Sequence, residues 1–220
     1  VLGRLISFEG LDGVGKSTQL ELLRLELISR GLSVQLYREP GGTPAGEALR
    51  ALIKAGTFHS PLAELLAFAT ARAELVELYI RPALRRGELV LLDRFTDSSL
   101  AYQGAHGAVP LELIRRVNSI ATAGLQPDLT LWLDLPAAEA QARRAQAQKP
   151  AGAAGAAESS ALDSIEQRDA GYFERVREIF EEICLAEPER MQRIEVSGSV
   201  EAVFDAVSHS VLSLLEPDHG

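Results

Sequence analysis

Apolar positions along this chain fall into two rhythms, short continuous runs and longer stretches with a helical step. Leu5-Ile6-Ser7-Phe8 is a short, partly alternating run that breaks into a glycine-rich turn, after which Ser17 opens a Leu-rich helical pattern. That helix is expected to end near Gly31, suited to the left-handed position that follows a helix, and Val34 to Tyr37 then reads as a second strand. The turn Pro40-Gly41-Gly42 leads into a short helix from Pro44 to about Lys54, and a long helical pattern runs from Pro61 to Leu84. Leu89 to Leu92 and Leu129 to Leu135 are continuous apolar runs of the kind buried on both faces of a parallel sheet. Further helices are expected from Leu111 to Ala123, from Ala137 to about Ala147 and from about Asp163 to Ala186, then a strand near Arg193 to Val196. In a final helix Val200, Val203, Phe204, Val207, Val211, Leu214 and Leu215 recur at steps of three and four, which makes a core-facing stripe. Strands alternating with helices imply βαβ units, hence an α/β fold in three layers with about five parallel strands. Ligands in such sheets sit at the carboxyl ends of the strands.

Composition narrows the class. With 220 residues, 46% hydrophobic and 24% charged, the chain reads as one domain over 1–220, able to bury roughly 70% of its unfolded surface without a disulfide or metal. No apolar run approaches the roughly 20 residues that span a bilayer, which argues against a membrane partner. The lone Cys184 has no intrachain partner and no charged-then-apolar leader precedes the first strand, so the cytoplasm is the expected compartment. A net charge of −9, from 31 acidic and 22 basic residues, argues against a nucleic-acid surface, so an anionic ligand must be held by local groups. His59, His106, His209 and His219 have no metal-like spacing with Cys184, and no structural metal site is expected.

The local groups are concentrated in the first turn. Gly10-Leu11-Asp12-Gly13-Val14-Gly15-Lys16-Ser17 fits G-x-x-x-x-G-K-[ST] between a strand-like and a helix-like segment. Glycines let the backbone wrap an anion with its N–H groups, and the helix N-terminus that continues through Thr18 adds favourable charge. Lys16 can reach the β and γ phosphates of a nucleotide, and Ser17 can offer its hydroxyl to Mg²⁺. Asp12 is unexpected among groups that hold an anion. It reads either as a solvated loop tip or as an acceptor for a sugar hydroxyl of a second substrate. Asp93-Arg94 closes the apolar run at Leu92, so both emerge beside the phosphate loop, Asp93 toward Mg²⁺ and Arg94 toward an anion its planar fork can match. The D-x-x-G and N-K-x-D signatures of a G-protein switch do not occur.

Arg38-Glu39-Pro40-Gly41-Gly42-Thr43, Phe68-Ala69-Thr70-Ala71-Arg72 and Asp93-Arg94-Phe95-Thr96-Asp97-Ser98-Ser99-Leu100-Ala101-Tyr102-Gln103-Gly104, taken with the phosphate loop, resemble the thymidylate kinases in family order. The likeness continues through Gln126 to Asp134 and covers nearly the whole chain. It implies the P-loop nucleoside monophosphate kinase fold, transfer of a phosphoryl group from ATP to dTMP to give dTDP and ADP, Mg²⁺ as cofactor and a homodimer, for which the Leu-rich faces between Leu62 and Leu84 are candidates. It further implies that the loop residues Gly10, Asp12, Gly13, Val14, Gly15, Lys16, Ser17 and Thr18 bind ATP, with Ser17 and Asp93 toward the metal. On the acceptor side it implies that Phe68 stacks on thymine and Arg72 donates to a thymine carbonyl. Ser98, Ser99 and Gln103 would line the base site, Tyr102 would crowd the 2′ position, Arg38 and Arg94 would grip the acceptor phosphate, and Asp12 would meet the 3′ hydroxyl. On periodicity alone Phe68 and Arg72 read as a core Phe beside a solvated Arg, Ser98 and Ser99 as a helix start, and Tyr102 as packing. Glu39 reads as a metal-shell residue, as a partner of Arg38 or as a surface ion pair.

One segment departs from the family pattern. Residues 146–163, with Gln146 to Ala161 reading QAQKPAGAAGAAESSA, are too small and polar to build core, and read either as a surface insertion or as a flexible lid. With the neutral Val14 the resemblance implies a cation supplied by the lid, yet the family's D-R-I-E pattern is here Asp163-Ser164-Ile165-Glu166, without the arginine. Arg143, Arg144, Lys149 and Arg168 are the substitutes on offer, and Arg143 fits the register best. Other readings are another nucleoside monophosphate kinase, a non-catalytic ATP-dependent switch, and a paralogue that binds without turnover.

Overall fold

The structure, a computed structural model, describes residues 3–147 and 168–216. Strands β1 (Leu5–Glu9), β2 (Val34–Arg38), β3 (Leu89–Asp93), β4 (Leu129–Asp134) and β5 (Met191–Glu195) form one sheet in the order β2-β3-β1-β4-β5, and each neighbouring pair is parallel. The five-stranded parallel α/β sheet expected from the alternation is present. Its central strands are apolar because both faces are covered, and successive side chains enter different cores. Ile6, Phe8, Leu89 and Leu91 join one core, which also takes Leu20, Leu23 and Leu27. Leu5, Val90 and Leu92 join the other with Leu75, Val76, Ile80, Ala83 and Phe95.

The helices are α1 (Lys16–Ser29), α2 (Pro44–Lys54), α3 (Pro61–Leu75), α4 (Arg81–Arg85), α5 (Thr96–Ala105), α6 (Leu111–Thr122), α7 (Ala137–Ala147), α8 (Ala170–Ala186) and α9 (Val200–Leu215). Three expectations need correction. The single helix from Pro61 to Leu84 is divided into α3, a π-helical turn at Val76–Ile80 and α4. Pro82 has no N–H to give and its ring crowds the carbonyl four residues back, and a wider turn accommodates both. Helix α8 begins at Ala170, where the Asp169 carboxylate accepts the Tyr172 N–H at 2.8 Å, whereas 163–167 lie outside the described residues. β5 starts at Met191, two residues before the expected Arg193. It is an edge strand with Gln192 and Arg193 exposed, so no continuous apolar run marks it.

Helix α5 has no amphipathic signature either. Asp97 through Gln103 are all buried, so no polar face alternates with an apolar one. β1 and β3 are adjacent with Phe8 level with Asp93, so the turns that leave them, Gly10–Gly15 and Arg94–Phe95, emerge side by side at the carboxyl end of the sheet. The expected insertion lies outside the described residues from position 148 onward. Among the described residues no helix is long and apolar enough to cross a membrane.

Candidate active site

Between β1 and α1 the chain passes through Gly10, Gly13 and Gly15 at φ 130°, 90° and 93°. A Cβ at Gly10 would lie 2.3 Å from the Leu133 carbonyl oxygen, and one at Gly13 2.3 Å from that of Ala140, so the loop is pressed against β4 and α7. At Gly15 nothing lies within 4 Å, because the loop opens there on a cleft of about 500 Å³. Asp12, Gly13, Gly15, Lys16, Ser17 and Thr18 all line this cleft, whereas the Val14 side chain is buried away from solvent. The Lys16 ammonium donates to the carbonyls of Gly10 (3.2 Å) and Leu11 (2.9 Å). Burial, then the positive charge of Arg94, pushes its pKa down to about 8 against the pull of Asp12, Asp93 and Glu9. The Ser17 hydroxyl donates to Asp93 Oδ2 at 3.2 Å, so two hard oxygen groups face the same cleft, a donor set that suits Mg²⁺.

Arg94 links this cleft to a second one. Its backbone is at φ 72°, an uncommon conformation for a residue with a side chain, and its N–H donates to Phe8 O. Its guanidinium donates to Asp12 Oδ1 (2.7 Å), the Tyr102 hydroxyl (3.0 Å) and Ser98 Oγ (3.0 Å), and lies 4.7 Å from the Tyr102 ring centroid. Burial works to raise the pKa of Asp12, but Arg94 and Lys16 outweigh it and hold the carboxyl well below its ordinary range. The turn is braced by Glu9, the last residue of β1, which is fully buried. Its carboxylate accepts the Phe95 N–H (2.7 Å) and the Ser98 hydroxyl (2.5 Å). Burial, then the neighbouring charge of Asp97, pushes Glu9 up to about 7.

The second cleft, of about 160 Å³, is lined by Phe68, Ser98, Ser99, Tyr102 and Gln103. Asp12, Glu39, Arg50 and Arg94 line both clefts, so the two meet at these four residues. Arg72 is one helical turn beyond Phe68 but lies behind this wall, at 1% exposure. Its guanidinium donates to Glu39 Oε2 (2.7 Å), Asn118 Oδ1 (2.7 Å), Phe95 O (2.9 Å) and Ser99 Oγ (3.0 Å). Glu39 is therefore the buried partner of Arg72, neither a surface ion pair nor a partner of Arg38. Its Oε1 is buried without a hydrogen-bond partner, and burial, only partly offset by Arg72, raises its pKa. Arg38 lines the phosphate cleft but is held outward by Glu47 at 3.0 and 3.1 Å.

The substitute cations are dispersed. Arg143 lines the phosphate cleft and donates to Val196 O at 2.9 Å. Arg144 packs beside Gly13. Arg168 is paired with Glu64 at 3.0 Å, and Lys149 lies outside the described residues. Four groups that bear on the site, Glu9, Arg50, Glu64 and Asn118, carried no sequence prediction. Glu9 had a usable signal, a carboxylate at the end of an otherwise apolar strand immediately before a phosphate loop. Arg50 lies within α2, the helix that follows the Pro-Gly-Gly turn, and donates back to Pro40 O at 2.9 Å, which no spacing rule announces.

Comparison with known proteins points to one family. A family model described as "Thymidylate kinase" matches residues 8–207. Curated proteins named thymidylate kinase are similar along most of their length. One from Synechococcus sp. (strain JA-2-3B'a(2-13)) is 46% identical over 194 residues, 88% of this chain and 87% of that protein. Those from Prosthecochloris aestuarii and Exiguobacterium sp. (strain ATCC BAA-1283 / AT1b) are each 40% identical, covering 94% and 97% of this chain and 92% and 96% of theirs.

Proposed function

The chain belongs to the thymidylate kinase family, and on that premise we propose that it transfers the γ-phosphoryl group of ATP to dTMP, giving dTDP and ADP. The observation that carries the reading is the meeting of a glycine-lined phosphate cleft with a small aromatic-walled cleft at Asp12, Glu39, Arg50 and Arg94. A donor phosphate chain and an acceptor phosphate can approach each other at that junction.

A phosphate monoester has its second pKa near 6 and is largely ionised at pH 7, so its oxygen is already a nucleophile and needs no general base. That oxygen bonds to the γ phosphorus as the bond to the β-bridging oxygen breaks and ADP leaves with the electron pair. The obstacle is repulsion between two anions. Lys16 and the loop N–H groups hold the donor, Arg94 and Arg38 the acceptor, and Arg143 adds charge from the wall of the phosphate cleft. Arg38 has to exchange Glu47 for substrate. Ser17 and Asp93 would hold Mg²⁺, which when bound neutralises charge between phosphate oxygens. On the acceptor, Phe68 offers a face to thymine, Ser98, Ser99 and Gln103 offer polar atoms to its edge, Tyr102 crowds the sugar, and Asp12 accepts from the 3′ hydroxyl. Arg72 supports Ser99 from behind, and its one uncommitted N–H, on Nη1, would have to reach through that wall to meet a base carbonyl.

The same reading includes a homodimer and a cytoplasmic location. Leu62 and Leu66 on α3, and Leu113 and Ile120 on α6, are exposed on two helices that pack together, a surface that suits a second copy. The direct test of the reaction is product analysis after incubation with ATP, Mg²⁺ and dTMP. ADP and dTDP should appear one for one, whereas ADP without dTDP would make the protein a nucleotidase and overturn the proposal.

A further inference from the structure

Gln103 lines the base cleft, yet one end of its amide is already committed. Its Nε2 donates to Glu64 Oε1 at 3.0 Å, while its Oε1 accepts no hydrogen bond among the described residues. Glu64 lies on α3 one turn before Phe68, is buried, and receives Arg168 at 3.3 Å on Oε1 and 3.0 Å on Oε2. Arg168 is fixed in turn by Tyr172, to whose hydroxyl it donates and over whose ring it lies at 4.6 Å, and the Tyr172 hydroxyl donates to Tyr102 O at 2.8 Å. A carboxylate paired with a guanidinium has only lone pairs to offer, so the amide end that faces it has to be the NH₂. The orientation of Gln103 is therefore dictated by its neighbour's chemistry and is not a choice between two look-alike atoms.

We infer that Glu64, held by Arg168, sets the base specificity of the cleft by obliging Gln103 to present a carbonyl oxygen, and not an amino group, to the pyrimidine edge. The inference deepens the proposed dTMP reaction and rests on it. Thymine carries a proton on N3 and cytosine a lone pair there, so a fixed acceptor attracts the first and repels the second. Uracil has the same N3–H as thymine. The device therefore separates dCMP from both dTMP and dUMP and is indifferent to the 5-methyl group. Glu64 acts only through Gln103, which makes it a positioning residue.

The test is Glu64→Gln. A glutamine there accepts from Arg168 and offers its own NH₂ to Gln103, whose amide is then free to turn its NH₂ toward the substrate. The dTMP to dCMP ratio of kcat/KM should fall at least about tenfold while the dTMP to dUMP ratio holds within about twofold. General damage to the fold would lower all three together. An unchanged dTMP to dCMP ratio in the folded variant overturns the inference. Gln103→Ala separates this failure from failure of the underlying reading, because it collapses the same ratio if Gln103 meets the base and leaves it intact if the cleft is not the base site. Should Glu64→Gln not fold, the Gln103 side-chain amide resonances of the unaltered protein, assigned by their loss in Gln103→Ala, serve instead. One Nε2 proton should stay in a carboxylate hydrogen bond with and without dTMP, and an amide that turns over on dTMP binding contradicts the inference.

Discussion

Phe68 and Arg72 are one helical turn apart and share a motif, but burial gives them different work. Arg72 spends four N–H groups on Glu39, Asn118, Phe95 and Ser99, so Arg72→Ala strands a buried carboxylate. The expected loss is about 3–5 kcal/mol of folding stability, read from the urea midpoint, in addition to any loss of activity. Phe68 is only partly buried at the cleft wall, so Phe68→Ala should cost less stability and act mainly by raising KM for dTMP. If Arg72→Ala proved as stable as the parent, the buried pair would be irrelevant to folding. Glu9 adds a pH dependence whose sign follows from its shift from 4.5 up to about 7, caused first by burial. The folded chain binds this proton more tightly than the unfolded one, so the contribution of Glu9 to stability is complete below pH 4.5 and is lost as pH rises through about 7. Glu9→Gln keeps an acceptor for Phe95 N–H and carries no charge. Its stability should fall less than the parent's between pH 5 and pH 8 in urea titrations, and an identical pH profile in the two would count against this role. The phosphate-loop residues and Asp93-Arg94 stood out in the sequence by their spacing, whereas Phe68, Arg72, Ser98, Ser99 and Tyr102 stood out only by resemblance. Glu64 and Asn118 stood out in neither way, because a sequence displays polar side chains but not which of them the rest of the fold covers, whereas Glu9 carried a signal in its place between an apolar strand and the phosphate loop.

At the scale of elements, the two kinds of glycine in the phosphate loop are separable. Gly13→Ala adds a Cβ 2.3 Å from the Ala140 carbonyl at φ 90°, so it should disturb the packing of α7 and lower thermal stability. Gly15→Ala meets no protein atom, although its φ of 93° is also strained, so the larger effect should be on ATP affinity. Calorimetric melting and ATP titration of both variants check the contrast, and equal effects on both properties would contradict it. The central strands and the amphipathic helices were readable because one face or both faces meet the core in a regular rhythm. Helix α5 escaped that reading because it is buried from Asp97 to Gln103, β5 because it is an edge strand, and the break at Val76–Ile80 because Pro82 acts several residues upstream of its own position. The boundaries of α3, α8 and α9 are instead set by caps, where Ser60, Asp169 and Ser199 accept N–H groups of the first turn.

Over the whole molecule a net charge of −9 surrounds a junction where Arg94, Arg50, Arg38 and Lys16 gather. Local cations in an acidic protein favour a small polyanion held at close quarters over an extended nucleic acid. The exposed Leu62, Leu66, Leu113 and Ile120 should bring two chains together, so light scattering should give twice the 23.7 kDa chain mass and Ile120→Arg should shift the protein toward monomer. A monomeric parent at micromolar concentration would remove that surface as a dimer interface. The reaction itself is tested most directly by ADP release from ATP and Mg²⁺ with dTMP, dUMP, UMP, CMP and AMP offered one at a time to the parent and to Phe68→Ala. dTMP should be the best acceptor, and the substitution should erode that preference while ATP binding persists. Release that is indifferent to the acceptor, or greatest with AMP, would contradict a thymidylate kinase built on this pair of clefts.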